Sequence, residues 1–273
     1  MWFRAGAIGL AAVAAVTGCS SNGSDVAGPT LGESQGIRLG QSPTGDVRSS
    51  FQVVRGTGDI TSTVLQFRGL LGEPANGGTA GQQPSGRREI NWDGVPAGQT
   101  NVNTFPADFF NTNVKAGAIF STPGTGFRNS DNDFFDLDPT YAVQFEPFSK
   151  PKTFMPIGSP QMDVTFRVAG SSTAAAVTGF GIVFSDVDRV GSASIKLFDA
   201  KGRSLGRYLA PTRSDETGLS FVGVKFDAAI VARVVITSGQ AAIDAGLKDL
   251  TDGGNRDLVV TDNFLFGEPQ ALP

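Results

Sequence analysis

Histidine is absent from this sequence, and cysteine occurs once, at Cys19. Histidine is the usual general base near neutral pH and the usual nitrogen ligand of transition metals, so Ser-His-Asp catalysis, Cys-His catalysis and zinc chemistry are excluded. Any catalyst here would have to use carboxylates, Lys, Tyr or a hard cation bound through oxygen. Trp and Tyr are also scarce, 2 of each against 21 Phe, which marks Phe as core filler and leaves few of the exposed rings that sugar platforms use. No block of like charge occurs, and 22 basic against 26 acidic residues give no electrostatic footprint for nucleic acid. No internal repeat is visible, and no apolar run is long enough to span a bilayer as a folded helix.

What is present is a chain of 273 residues, 40% hydrophobic and with 36 Gly, enough for a sizeable core with frequent turns. Its start, "MWFRAGAIGLAAVAAVTGCS", has one positive charge at Arg4 and a small-residue apolar run from Ala5 to Val16, the form of an export signal. The end of that run, Val16-Thr17-Gly18-Cys19, resembles the lipobox of bacterial lipoproteins, in which the signal is cut before the Cys and the thiol is lipidated. Val stands where Leu is commoner. The plainer alternative is an ordinary secretory signal with an unpaired Cys, but a lone thiol in an exported chain favours lipidation. Ser20 after the Cys resembles outer-membrane cargo, so the protein is expected at the outer membrane or cell surface, held through its lipid anchor.

Between Ser20 and Thr44 the chain is Gly, Ser, Pro, Asp and Gln with few large apolar residues, so burial cannot offset the entropy of ordering it. The expected organisation is a lipoprotein signal peptide over 1–18, a flexible, disordered tether over 19–48 and a β-sandwich domain over 49–273. Within that domain 49–140 forms an N-terminal extension and 141–268 the sandwich proper. Ile60, Val64, Phe67 and Leu71 recur at helical spacing, with Asp59 or Thr61 to cap the start and Gly72 and Pro74 to close the end, so one helix is predicted to pack on a sheet. The following "GEPANGGTAGQQPSG" reads as a long loop without core residues. After it, "QMDVTFRV", "AVTGFGIVFS", "ASIKLFD", "LSFVGVKF", "IVARVVITS" and "LVVTDNFLF" read as strands separated by turn residues at sandwich spacing, with a hairpin at Lys201-Gly202.

The stretches "FRGLLGEPANGG", "GRREINWDGVP", "FFNTNV", "FSTPGTGF", "MDVTFRV", "GFGIVFSDVDR", "LSFVGVKF", "ARVVITSG" and "DNFLFGEP" together resemble an uncharacterised family of exported bacterial proteins, over roughly 57–269. The C-terminal half resembles the jelly-roll sandwiches of exported proteins, including those with a PEP-CTERM sorting tail. The resemblance implies a mainly β, jelly-roll-like β-sandwich and carries over no catalytic residue.

Candidate sites follow from charged residues in unexpected places. "GRREINWDGVP" packs charge, an amide and Trp92 into a short stretch. If it is extended, Arg88, Ile90 and Trp92 share one face and Glu89, Asn91 and Asp93 the other. One reading is a ligand-binding patch of Arg88, Glu89, Trp92 and Asp93, with Trp92 as a stacking platform for a glycan and Glu89 or Asp93 as an acid or base. The other is a structural clasp in which Trp92 covers the core edge and Arg87 or Arg88 pairs with a carboxylate. In "LVVTDNFLF", strict alternation places Leu258, Val260, Asp262, Phe264 and Phe266 on one face, so a carboxylate interrupts an apolar row and needs a cation, an Arg or an exit to water. Asp186 and Asp188 follow the strand "GFGIVFS", and a structural Ca²⁺ shared by Asp186, Asp188 and Asp262 is the metal site expected from the sequence.

Each of these Asp residues has an alternative role as a turn cap, or at a bulge. The acidic stretch "NSDNDFFDLDP", with Asp131, Asp133, Asp136 and Asp138, lacks the Gly and terminal Glu of an EF-hand loop and reads as a solvated loop. "FSTPGTGF" lacks the Lys and following helix of a phosphate-cradling loop. The functional expectation is a non-catalytic, envelope-anchored binding or scaffold module whose partner is a glycan or an envelope protein. The alternative is a carbohydrate-active hydrolase using Glu89 and Asp93 or the acidic loop.

Overall fold

Alternation along short Val-, Ile- and Phe-rich runs builds two antiparallel sheets packed face to face. The computed structural model describes residues 38–41, 50–213 and 218–273. The signal segment 1–18, Cys19 and most of the expected tether lie outside the described residues. Within the span 19–48, Arg38–Gln41 forms a strand, β1, paired antiparallel with β2 (Ser50–Thr57). Helix α1 (Thr61–Leu71), β3 (Arg87–Ile90), the single helical turn α2 (Phe109–Thr112), β4 (Ala118–Ser121) and β5 (Gly126–Ser130) complete the N-terminal part. The strands that follow are β6 (Thr153–Ile157), β7 (Gln161–Arg167), β8 (Ala174–Ala176), β9 (Gly179–Ser185), β10 (Ser194–Phe198) and β11 (Ser204–Leu209). After them come β12 (Leu219–Phe226), β13 (Arg233–Thr237), β14 (Val260–Gly267) and β15 (Gln270–Ala271).

The topology follows from which strands pair. Taking β6, β7 and β9 to β14 in order, the first pairs with the last (β6 with β14) and the second with the seventh (β7 with β13). The third pairs with the sixth (β9 with β12) and the fourth with the fifth (β10 with β11). This is a long hairpin wound into two sheets, a jelly roll, with β12-β9-β14-β6 side by side in one sheet and β11-β10-β13-β7 in the other. The N-terminal part is not a separate layer. Strands β1 and β2 widen the first sheet beyond β12, β5 widens it beyond β6, and β3 pairs with β14. In the second sheet β4 pairs with β7.

Phe180, Ile182 and Phe184 of β9 face the second sheet, where they join Val164, Phe166, Ile195, Leu197, Val234 and Ile236 in the main core. The residues between them point outward, and α1 covers that face. Val64, Phe67 and Leu71, spaced to fall on one side of the helix, pack against Val54, Val183, Phe221 and Leu265. The Asp59 carboxylate accepts from the Thr61 amide at 3.0 Å at the start of the helix, and the Gly72 amide donates to the Arg68 carbonyl at its end.

The helix docks closely because two glycines lie side by side beneath it. Gly181 of β9 and Gly223 of β12 are register partners, and a Cβ on either would come within 2.5 or 2.7 Å of the Phe67 ring. Gly181→Ala is therefore expected to destabilise the protein by about 1–3 kcal/mol through overpacking. Urea denaturation checks this, and an unchanged midpoint would mean that the ring has room to move aside.

Strand β14 does not alternate strictly. Between Thr261 and Phe264, two residues of β14, Asp262 and Asn263, stand opposite the single Val183 of β9, which is a one-residue bulge. Phe264 and Phe266 accordingly face the main core, whereas Leu258 and Val260 belong to a separate cluster with Phe134, Tyr141 and Met155. The expectation of one continuous face carrying Asp262 is corrected: the bulge changes the phase of the strand at Asp262.

Candidate functional site

The stretch "GRREINWDGVP" folds as the clasp. The Arg88 side chain is 0% exposed and forks onto Glu268, Nε to Oε2 at 2.6 Å and Nη2 to Oε1 at 2.7 Å. Its remaining donors reach the carbonyls of Gly77, Thr79, Gly81 and Lys115. Glu268 also accepts from the Asn76 side chain and the Gln83 amide. The loop after α1, which contributes no apolar core, is thus wrapped around a buried guanidinium that satisfies its backbone. Glu89 is held by Arg68 and Arg87, and Asp93 accepts from the Lys152 amide at 3.1 Å.

Trp92 is 1% exposed and stacks on Phe154 at 3.7 Å, with Phe110 and Phe264 edge-on. Its φ of 65° turns the chain at the end of β3 and directs the ring inward. The expectation of a stacking platform at Trp92 beside Arg88 is corrected, because both side chains are inside the protein. The alternation of Arg88 and Ile90 against Glu89 does hold in β3.

Asp262, on the bulge, is buried, and its carboxylate accepts from the Ser149 amide at 2.9 Å. Burial, opposed by backbone donors at Ser149, Phe148 and Asn263 and reinforced by Asp93, pushes it up to about 8. Asp262 ties the segment around Ser149 to the sheet and is not part of the carboxylate cluster described next.

Asp186 and Asp188 do meet at the end of β9, but their third partner is Asp249, from the long connection between β13 and β14. One carboxylate oxygen from each of Asp186, Asp188 and Asp249 lies within 4.8 Å of the others. The three are therefore close enough to hold one metal ion. The shared site is corrected to this extent: Asp249 stands where Asp262 was expected. Asp186 is fully buried, with φ 70°, and its Oδ2 accepts from the Gln144 amide at 2.9 Å. Burial, with smaller contributions from Asp249, Asp188 and Asp257, pushes Asp186 up to about 8 against the lowering effect of Gln144. Asp249 accepts from the Leu258 amide at 2.7 Å and from the Thr251 amide at 2.8 Å, so its carboxylate is rigidly placed.

Asp257 lies beside this group and is likewise raised by burial; its Oδ2 accepts from the amides of Asp188 and Arg189. Asp249, Asp257 and Gln144 were not singled out from the sequence. The available signal was "KDLTDGGNRD", which reads as an ordinary turn until its neighbours in space are known. The acidic stretch at 131–138 is divided among local tasks: Asp131 accepts from Asn101, Asp136 pairs with Arg128, and Asp138 accepts from the amides of Thr140 and Gly246.

A cleft of about 630 Å³ adjoins the same connection, lined by Leu137, Ile157, Ile243, Asp244 and Leu247 among others. It presents one carboxylate residue, Asp244, whereas paired-carboxylate hydrolysis requires two. Among the described residues no helix is long and apolar enough to cross a membrane.

No protein-family model and no curated protein matches the chain. Among solved structures, the enzymatically active domain of tailspike protein 4 from bacteriophage CBA120 is similar over 52% of this chain, at 12% identity and a TM-score of 0.20. The likeness spans 21% of that chain's length, and at this level it carries no argument about fold or activity. What stands is a β-sandwich with three carboxylates gathered at one end of β9, close enough to hold a metal ion.

Proposed function

We propose that the protein is a non-catalytic, envelope-anchored lipoprotein, attached through Cys19, whose sandwich serves as a binding or scaffold module for a glycan or an envelope protein and is stabilised by Ca²⁺. The observation that carries this reading is the grouping of Asp186, Asp188 and Asp249 at the sandwich rim. An all-oxygen, carboxylate-rich set suits a hard cation. Oxygens sharing one Ca²⁺ at 2.3–2.6 Å are at most about 5 Å apart, which accommodates the observed spacing. A cation would also relieve the repulsion and burial that now push Asp186 toward its neutral form. The lipobox-like Val16-Thr17-Gly18-Cys19 and the absence of histidine support the anchored, non-catalytic part of the reading.

Thermal melts of the full chain in detergent test the cation. Calcium at a hundredfold excess over its dissociation constant is expected to add about 2.7 kcal/mol, which for a protein of this size is roughly 5 to 10 °C in Tm. Asp249→Asn is expected to abolish the shift. Superimposable melts in calcium and in chelator would overturn the calcium assignment. Labelled fatty acid incorporated into the wild type and absent from Cys19→Ala would support the anchor, and an unlabelled wild type would rule it out.

A further inference from the structure

The connection between β13 and β14 is long and has no helix or named strand of its own. From Gln240 to Asp257 its buried side chains are Ile243, Asp249 and Asp257, so two of the three are carboxylates at the rim cluster. A loop with so little apolar burial has low local stability unless something else holds it. The same connection forms one wall of the cleft, through Ala242 to Leu247. Two links join that wall to the carboxylates. Leu247 precedes Asp249 by two residues. On the other side, the Tyr141 hydroxyl bonds the carbonyls of Asp244 at 2.8 Å and Leu247 at 2.7 Å, and the same short 3₁₀ turn (Pro139–Val143) leads into Gln144, whose amide is bonded to Asp186.

One further oxygen points to a ligand beyond the three carboxylates. Gln144 is 2% exposed, its nitrogen is bonded to Asp186, and its Oε1 has no hydrogen-bond donor among the described residues. Asp257 is fully buried beside the group and is already held by the amides of Asp188 and Arg189 and by the Ser192 side chain. A buried oxygen without a donor is costly, and a cation shared with the carboxylates satisfies it. We infer that a divalent, oxygen-seeking cation at Asp186, Asp188 and Asp249 also draws on Gln144, and that by doing so it fixes the β13–β14 connection and with it the wall of the cleft. The inference rests on the calcium reading above and adds a regulated element to it: the bound cation holds the cleft wall in place.

Hydrogen exchange of the full chain in detergent, with calcium or with chelator, tests this. Calcium is expected to slow exchange of the locally opening amides in 240–257 by at least tenfold, apart from the slowing that its global stabilisation gives to the core amides of β9 and β12. Tyr141→Phe is expected to keep the calcium-dependent rise in Tm but to lose the protection of 244–247, because the hydroxyl link is gone while the carboxylates remain. A calcium-dependent Tm with unchanged exchange in 240–257 would overturn the coupling and leave the calcium reading intact. If neither Tm nor exchange responds, the calcium reading itself fails and this inference with it.

Discussion

Arg88→Met is expected to destabilise the protein by about 3–5 kcal/mol, the usual consequence of removing one partner from a buried ion pair. The Met side chain approximates the volume but leaves Glu268 buried without its cation and leaves the carbonyls of Gly77, Thr79, Gly81 and Lys115 without their donor. Arg88→Lys is expected to recover little, because an ammonium cannot fork onto Glu268 and reach the loop carbonyls together. The double change Arg88→Met with Glu268→Met is expected to regain part of the loss, since it removes the uncompensated charge but not the unpaired carbonyls. Urea denaturation of the three variants measures this. A loss under about 1 kcal/mol for Arg88→Met would mean that the loop at 72–86 folds without its ionic centre.

Asp262→Asn is expected to flatten the dependence of stability on pH and to stabilise the protein above pH 8. The folded-state value of Asp262, about 8, lies above the ordinary carboxylate value of 3.8, so the folded protein holds this proton more tightly than the unfolded chain. Its favourable contribution is fully present below about pH 4 and is lost as pH rises through 8, at no more than about 1.4 kcal/mol per pH unit. Asn has no proton to lose and still offers an oxygen to the Ser149 amide. The difference between variant and wild type should therefore grow from pH 5 to pH 8 and level off above. Taking the difference between variant and wild type at each pH cancels the contribution of Asp186 and Asp257, which are also raised. Parallel curves for the two proteins would show that Asp262 is ionised in the folded state throughout.

The strands read correctly from the sequence are those with a clear apolar pattern bounded by turns: β7, β9, β10, β12 and β13 lie within the runs singled out, and β14 extends one residue beyond its run, to Gly267. The strands not singled out have physical reasons for being hidden. β2 places Val53 in the inter-sheet core and Val54 under the helix, so both faces are covered and alternation is lost. β6 carries Pro156 and is buried on nearly every residue, and β4 has only four residues. In the clasp, β3 was legible as an extended segment with a charged face, but its buried Arg was not legible as buried. Its partner, Glu268, is at the far end of the chain, and the loop that surrounds it contributes backbone carbonyls, which no residue type announces.

The amino-acid sequence by itself determined the class of the protein: no imidazole chemistry, a Phe-rich sandwich and one amphipathic helix, because composition and periodicity are local properties. Only the tertiary structure decided which carboxylates share a site. Because β9 lies beside β14, the end of β9 meets the connection that leads into β14, which brings Asp249 and Asp257 to Asp186. One extra residue in β14 changes the phase of the strand at Asp262, which ties down the segment around Ser149 instead. Spacing along the chain cannot encode either outcome, since each depends on strand adjacency and on a register shift that exist only once the sheets have formed.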